Sequence, residues 1–512
     1  MNGQNEYGEY PLLMACKRSN IELIKLLIEY ANKNDIILKL NEKDVEGSYP
    51  LFSACRNNNT ECVRLLIEYA NKNNIILELY ENNNKYRNYA FLMAFSEGNI
   101  ELIKLLIEYA NKNNIILNLN EKNLNGCYPL IKACCGNNID CVRLLIEYGN
   151  KNNIILDLNG KDNKNGIYPL LMAYDLGNIE SIELLMEYAN KNNILNLNEK
   201  NVEGHYPLLL GCCKNNIDCI RLLMEYADKN NIILDLNGKD NKNGIYPLLI
   251  SYRLCNIELI KLLMEYANKN NIIMKLNEKD VNESYPLMEA CIKSNMECVR
   301  LLIEYAIKNN IILDLNENNN EHRNYPFLTA FNECNTEFIK LLIEYANKNN
   351  IILKLNEKDM KGYYPLLAAC LKNNIECVQL LIEFSNKNNI ILDLNEKDNE
   401  YGNYPLLIVY RQCNIELIKL LMEYANKNNI VLNLNKKNLN GSYPLIEACC
   451  SNNINYVQLL MEYANKNNII LNLNEKNLNG SYPLIEACYN NNIECVRLLM
   501  EHMLIKIILF WI

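Results

Sequence analysis

Apolar and polar positions along this chain follow one pattern, repeated over almost its whole length. A short apolar run opens with Tyr-Pro, as in Tyr49-Pro50-Leu51-Phe52, and closes on a small residue followed by cysteine or an aromatic ring. A second run, such as Ile21, Ile24, Leu27 and Ile28, carries apolar residues at helical spacing with charged residues between them. Tyr-Pro recurs at Tyr10, Tyr49, Tyr128, Tyr168, Tyr206, Tyr246, Tyr285, Tyr325, Tyr364, Tyr404, Tyr443 and Tyr482, and Tyr89-Ala90 fills the one gap. Successive starts lie mostly 39 or 40 residues apart, so thirteen units fill the chain and no separate catalytic domain has room to exist.

Each unit reads as two short helices joined by a tight turn. Proline suits the first position of the first helix, where its missing N–H costs nothing. An asparagine then recurs in all thirteen units, from Asn20 and Asn59 to Asn453 and Asn492. Its side-chain oxygen is a strong acceptor for an orphan N–H at the start of a second helix. Two residues later stands Glu or Asp in every unit but one, where Asn455 replaces it, which suits the positive end of the helix dipole. After the second helix comes a stretch such as Asn111 to Asn120, Asn-Lys-Asn-Asn-Ile-Ile-Leu-Asn-Leu-Asn. Its Asn-rich start predicts a helix stop, because asparagine tolerates left-handed backbone. A glycine-bearing turn, such as Asp44 to Ser48, leads into the next Tyr-Pro. A helix pair this small cannot bury its apolar faces alone, but stacked neighbours can.

These motifs resemble the ankyrin repeat. The family's Thr-Pro-Leu-His-x-Ala appears as Tyr-Pro-Leu-Leu-x-Ala at Tyr10 to Ala15, its second-helix core as Val63 to Ile67, and its Asn-x-x-Asp finger as Asn41 to Asp44 leading to Gly47. The resemblance implies an all-α, ankyrin-like α-solenoid over residues 1–501, with 502–512 as a non-repeat apolar tail. A tetratricopeptide or HEAT solenoid is the rival architecture, and the glycine-bearing finger argues against it. Tyr and Leu replace the Thr and His whose hydrogen bonds tie down the family's helix start, so cohesion between repeats is expected to lean on packing. The family period is about 33 residues, and the excess falls after the second helix. A longer second helix or a wider return loop, at the edge opposite the fingers, is therefore expected.

Units also alternate. Odd ones mostly place an aromatic after the small residue of the first helix (Phe95, Tyr174, Tyr252, Phe331, Tyr410), and even ones place cysteine there (Cys55, Cys134, Cys212, Cys291, Cys370, Cys449). In the second helix, Leu23, Leu102, Leu259 and Leu417 alternate with Cys62, Cys141, Cys219, Cys298 and Cys377. Large and small core residues thus alternate along the stack, as close packing requires.

Composition narrows the function. A net charge of −9 argues against bulk nucleic-acid binding, which needs a basic surface. No secretory signal and no run long enough for a membrane span is visible. Most of the 21 cysteines sit on apolar helical stripes, where they act as small hydrophobes, which fits a reducing cytosol or nucleus. The adjacent pairs Cys134-Cys135, Cys212-Cys213 and Cys449-Cys450 cannot face each other on a helix. His205 and His322 fall in turns and are expected to be solvated, and no His-Cys cluster has zinc-ligand spacing. Neither a catalytic residue nor a cofactor or metal site is assigned. The tail from His502 to Ile512 is read as an out-of-frame continuation: one permitted coding string, read two bases later, gives Tyr-Ala-Asn-Lys-Asn-Asn-Ile-Ile-Leu-Asp, the end of the repeat.

The resemblance also implies a binding groove lined by finger tips and by two outward positions per first helix. On this chain those positions include Lys17, Arg18, Arg56, Asp175, Lys214, Arg253, Lys293, Lys372, Arg411 and Tyr489. Across all units they hold eight basic and three acidic residues, a net +5 in a chain of −9, which points to an acidic partner protein. The expected function is a non-enzymatic protein-binding scaffold. The alternatives are the repeat portion of a truncated larger enzyme or channel, or a structural spacer.

Overall fold

The computed structural model describes the chain except residues 82–86, 193–194, 320–321, 452 and 512, and the backbone alone for 504–511. The described residues form 26 helices and no strand, two helices for each of thirteen repeats. Contacts divide them into two compact units, Met1–Met274 with the helix pairs of repeats 1 to 7 and Lys275–Ile512 with those of repeats 8 to 13. Within each unit, first helices pack on the first helices of the next repeat, and second helices stack likewise behind them.

First helices span seven or eight residues, as in Pro50–Arg56 and Pro326–Glu333. The tyrosine before each proline is extended (Tyr49 φ −134°) and its side chain does not cap the helix. Second helices span 13 residues in most repeats, as in Thr60–Lys72. The asparagine caps them in all thirteen repeats: Asn59 accepts from the Cys62 N–H, Asn178 from Ser181 and Asn492 from Cys495. At Asn453 the bond shifts to the Asn455 N–H.

Part of the period's excess lengthens the second helix, which runs two residues beyond its expected stop, through Asn71 and Lys72. The first asparagine of the Asn-Asn pair then donates its side chain back to the last turn (Asn73 to Tyr69 O, 2.8 Å), and the second turns left-handed (Asn74 φ 55°). The rest of the excess is an extended return segment with period-two burial. Leu77 and Leu79 are buried while Ile76 points to solvent.

The expectation that cohesion leans on packing is qualified by hydrogen bonds at this edge. Most return segments end in an asparagine whose side chain clamps the next repeat. In the first unit, Asn120 donates to Ile155 O (2.8 Å) and accepts from Asp157 N (2.9 Å). In the second, Asn356 does the same with Ile391 O (2.7 Å) and Asp393 N (3.0 Å). The tyrosine of the second helix adds a bridge, as Tyr424 Oη accepts from Leu392 N (3.0 Å) in the preceding return segment. Nor does the Tyr-Pro tyrosine give up the hydrogen bond expected of threonine. Its buried ring sends the hydroxyl to a carbonyl 32 residues on, Tyr10 to Glu42 O (2.9 Å) and Tyr364 to Glu396 O (3.1 Å).

The alternation of large and small residues operates across repeat junctions. Tyr174 of repeat 5 lies over repeat 6, its hydroxyl bonded to Cys219 O (3.0 Å), and its ring is 3.8 Å from where a Cβ on Gly211 would sit. Where both residues at such a junction are cysteine, the sulfurs meet directly, as in Cys16–Cys62 (3.6 Å) and Cys449–Cys495 (3.8 Å). The second helix of repeat 13 runs from Ile493 through Trp511, and no helix among the described residues is long and apolar enough to cross a membrane.

Candidate protein-binding face

The fingers are turns closed by a buried acid or amide. Asp44 Oδ1 accepts from Ser48 N (2.7 Å), and Asn438 accepts from Asn440 N and Ser442 N. A glycine with positive φ follows where the turn demands it, Gly362 at 82°. Neighbouring fingers are joined backbone to backbone, Val202 N to Asn165 O (2.9 Å) in the first unit and Asn399 N to Lys361 O (2.8 Å) in the second. This ladder fixes the finger tips in a row. Every odd-numbered finger tip through repeat 11 carries an exposed apolar residue, Val45, Leu124 and Val202 in the first unit and Val281, Met360 and Leu439 in the second, and the tip of repeat 12 carries Leu478.

The fingers of repeats 8 and 9 and the first helices of repeats 9 and 10 line a common recess. A cleft of about 580 Å³ is bounded by His322, Asp359, Met360, Lys361 and Tyr363 from the fingers and by Asn332, Ala368, Leu371 and Lys372 from the first helices. Outward first-helix positions and finger residues therefore line one recess here.

The sequence matches the family described as ankyrin repeats (three copies) over residues 1–76, 70–155, 90–195, 231–313, 327–431 and 425–508. This chain belongs to the ankyrin-repeat family. Ankyrin repeats are in general protein–protein interaction modules. Among solved structures, the crystal structure of the ankyrin repeat domain of Bcl-3, a member of the IkappaB protein family, is similar over 50% of this chain and 99% of that one, at 20% identity and a TM-score of 0.37. No curated protein matches the chain.

The ten assigned groove residues of this ankyrin array are strung along it, and only Lys372 lines the cleft. Lys17 is held by Glu9 (2.8 Å) and Asp44 (2.6 Å), Lys214 by Asp175 (3.2 Å), and Arg411 by Glu447 (3.0 Å). Arg253 is half-buried and also engaged. Arg18, Arg56, Lys293 and Lys372 are exposed, and Tyr489 is 86% exposed. The positive count is thus partly balanced by carboxylates outside the counted positions, Glu9, Asp44 and Glu447. The outward positions also include Leu176 and Leu254 in the first unit and Ile292 and Leu371 in the second, which are about two-fifths exposed and give this face an apolar part. A count of charge at outward positions could not show it.

The adjacent cysteines split as helical geometry dictates, with Cys134, Cys212 and Cys449 buried and Cys135, Cys213 and Cys450 exposed. Burial still pushes the Cys213 thiol up to about 11, which leaves it a poor nucleophile. His322 is exposed as expected, whereas His205 is half-buried and its Nδ1 lies 3.3 Å from Glu203. No group of three His, Cys, Asp or Glu residues among the described residues could hold a metal ion.

Proposed function

We propose that this ankyrin array is a non-enzymatic scaffold that binds an acidic partner protein across its finger tips and first-helix ends. The cleft of repeats 8 to 10 carries this reading, because residues from both element types line one recess that offers Lys372 and Lys361 beside Leu371 and Met360. A partner of matching chemistry presents carboxylates around an apolar anchor. Such interfaces gain association rate from charge and affinity from the buried apolar centre. A reducing compartment, cytosol or nucleus, fits cysteines packed as hydrophobes.

The test is capture of partners on the full chain, followed by binding kinetics with Lys293→Glu and Lys372→Glu combined. The expected outcome is an on-rate about tenfold lower at low salt, with the difference shrinking as salt rises. An on-rate equal to that of the unaltered chain at every salt concentration rejects the face.

A further inference from the structure

We propose that Cys334 and Cys377 form a redox-modification site, a dithiol that a hydroperoxide converts into a disulfide joining repeats 9 and 10. Cysteine sulfurs approach one another across repeat junctions at Cys334–Cys377 (3.3 Å), Cys16–Cys62 (3.6 Å) and Cys449–Cys495 (3.8 Å). In the last two, all four residues are at most 1% exposed. In the first, Cys334 is half-exposed and Cys377 lies fully buried beneath it. This pair joins a thiol that solvent can reach to a second thiol ready behind it; the half-buried Cys255 and the buried Cys298 hold the same two positions in repeats 7 and 8.

Cys334 ends the first helix of repeat 9 in left-handed conformation (φ 56°), where repeats 3 and 5 use Gly98 and Gly177 (φ 64° and 65°) and most other repeats use serine, asparagine or cysteine. Cys413 has the same left-handed position in repeat 11, but the residue it meets across the junction is Tyr456, whose hydroxyl donates to the Cys413 carbonyl. Repeats 9 and 10 thus have both halves of a dithiol and repeats 11 and 12 only one.

The surroundings favour a thiolate at the accessible sulfur. Donation by the Cys377 thiol holds Cys334 down to about 7, against the opposing effect of its partial burial, and the Asn374 side chain and the Lys372 ammonium add to the lowering. The Cys377 thiol is pushed up by the same shared proton. Cys495 is lowered in the same way by Cys449, but it is fully buried.

The chemistry balances in two steps. The Cys334 thiolate attacks the terminal oxygen of the hydroperoxide, an S–O bond forms, the O–O bond breaks, and the alkoxide leaves and takes a proton from solvent. Cys377 then loses its proton as its sulfur attacks the Cys334 sulfenic acid. The S–S bond forms, the S–O bond breaks, and hydroxide leaves with that proton as water. Two thiols and one hydroperoxide yield one disulfide, one alcohol (water, for hydrogen peroxide) and one water, and the thiols supply both electrons.

The reduced full chain, exposed to hydrogen peroxide and then alkylated and mapped by mass spectrometry, tests this. A Cys334–Cys377 cross-linked peptide is expected first, with Cys334 lost about tenfold faster than Cys213 at pH 7. Cys16, Cys62, Cys449 and Cys495 should be recovered as free thiols after unfolding. Cys334→Gly and Cys377→Ser, which copy Gly98 and Ser181 at the equivalent positions, should keep the helical circular dichroism and abolish the cross-link. In Cys377→Ser, Cys334 should instead advance to the sulfinic acid. Recovery of both cysteines alkylated while Cys135 or Cys450 oxidises overturns the proposal. So does Cys334 sulfinic acid without a cross-link in the unaltered chain.

Discussion

The two edges of each repeat solve the same problem with different atoms. At the fingers, neighbouring repeats meet through backbone groups, as Asn399 N meets Lys361 O, and an internal Asp or Asn closes each turn. At the return segments, side chains stand in for backbone: Asn356 supplies both a donor and an acceptor to repeat 10, and Tyr424 bridges back from repeat 11. A side-chain clamp depends on one residue's identity, whereas a backbone ladder depends on the path of the turn. The chain varies at both edges. Tyr80 replaces the clamp asparagine at the end of one return segment, and Phe384 replaces the bridging tyrosine in repeat 10. At the fingers Arg87, Glu283 and Arg323 keep the left-handed turn where other repeats use glycine.

The largest effect is expected from breaking the backbone edge. In Gly362→Ala the new Cβ would lie 2.7 Å from Asn399 N in a left-handed residue. A loss of about 2–3 kcal/mol is expected by chemical denaturation. At the opposite edge, Asn356→Ala removes two hydrogen bonds, and about 1–2 kcal/mol of local stability should be lost. Amide exchange should quicken at Asp393 while the finger amide of Asn399 keeps its protection. Equal quickening at both would show that the edges are not separate.

Tyr424→Phe should cost about 1 kcal/mol by orphaning the Leu392 N–H, and Phe384→Tyr should recover about as much, read as opposite shifts in thermal unfolding. The smallest change concerns the buried finger acid. Burial raises the Asp359 carboxyl above the ordinary aspartate range, against the pull of backbone N–H donors such as that of Tyr363. Its folded value lies above its unfolded one, so its contribution is fully present below the unfolded pKa of about 3.9 and is lost as pH rises through the folded value. Asp359→Asn, the residue at Asn123, Asn201 and Asn438, should therefore match the parent in acid and become the more stable as pH climbs towards neutral. A stability gap independent of pH would contradict this.

Local chemistry made much of this legible. Helix starts were readable because proline and asparagine act within a few residues of themselves, and the thirteen caps fall where their spacing puts them. Finger turns were readable for the same reason. The return edge was not, because a clamp such as Asn120 to Ile155 spans 35 residues and looks in the sequence like one more asparagine among many. Its only local trace is the Leu-x-Leu alternation, two residues deep. The neighbours of the groove charges were hidden for a related reason: Glu9 and Glu447 reach Lys17 and Arg411 through space, from positions no outward-facing register includes.

Periodicity by itself determined the repeat, the helix pairs, their caps and the family, because each follows from contacts made within a unit or multiplied identically by stacking. Tertiary structure decided which sulfurs meet, which lysines stay uncompensated and which asparagines hold the stack. Those facts depend on distances between residues some 35 to 45 positions apart, set when one repeat settles on the next, and composition carries no record of them.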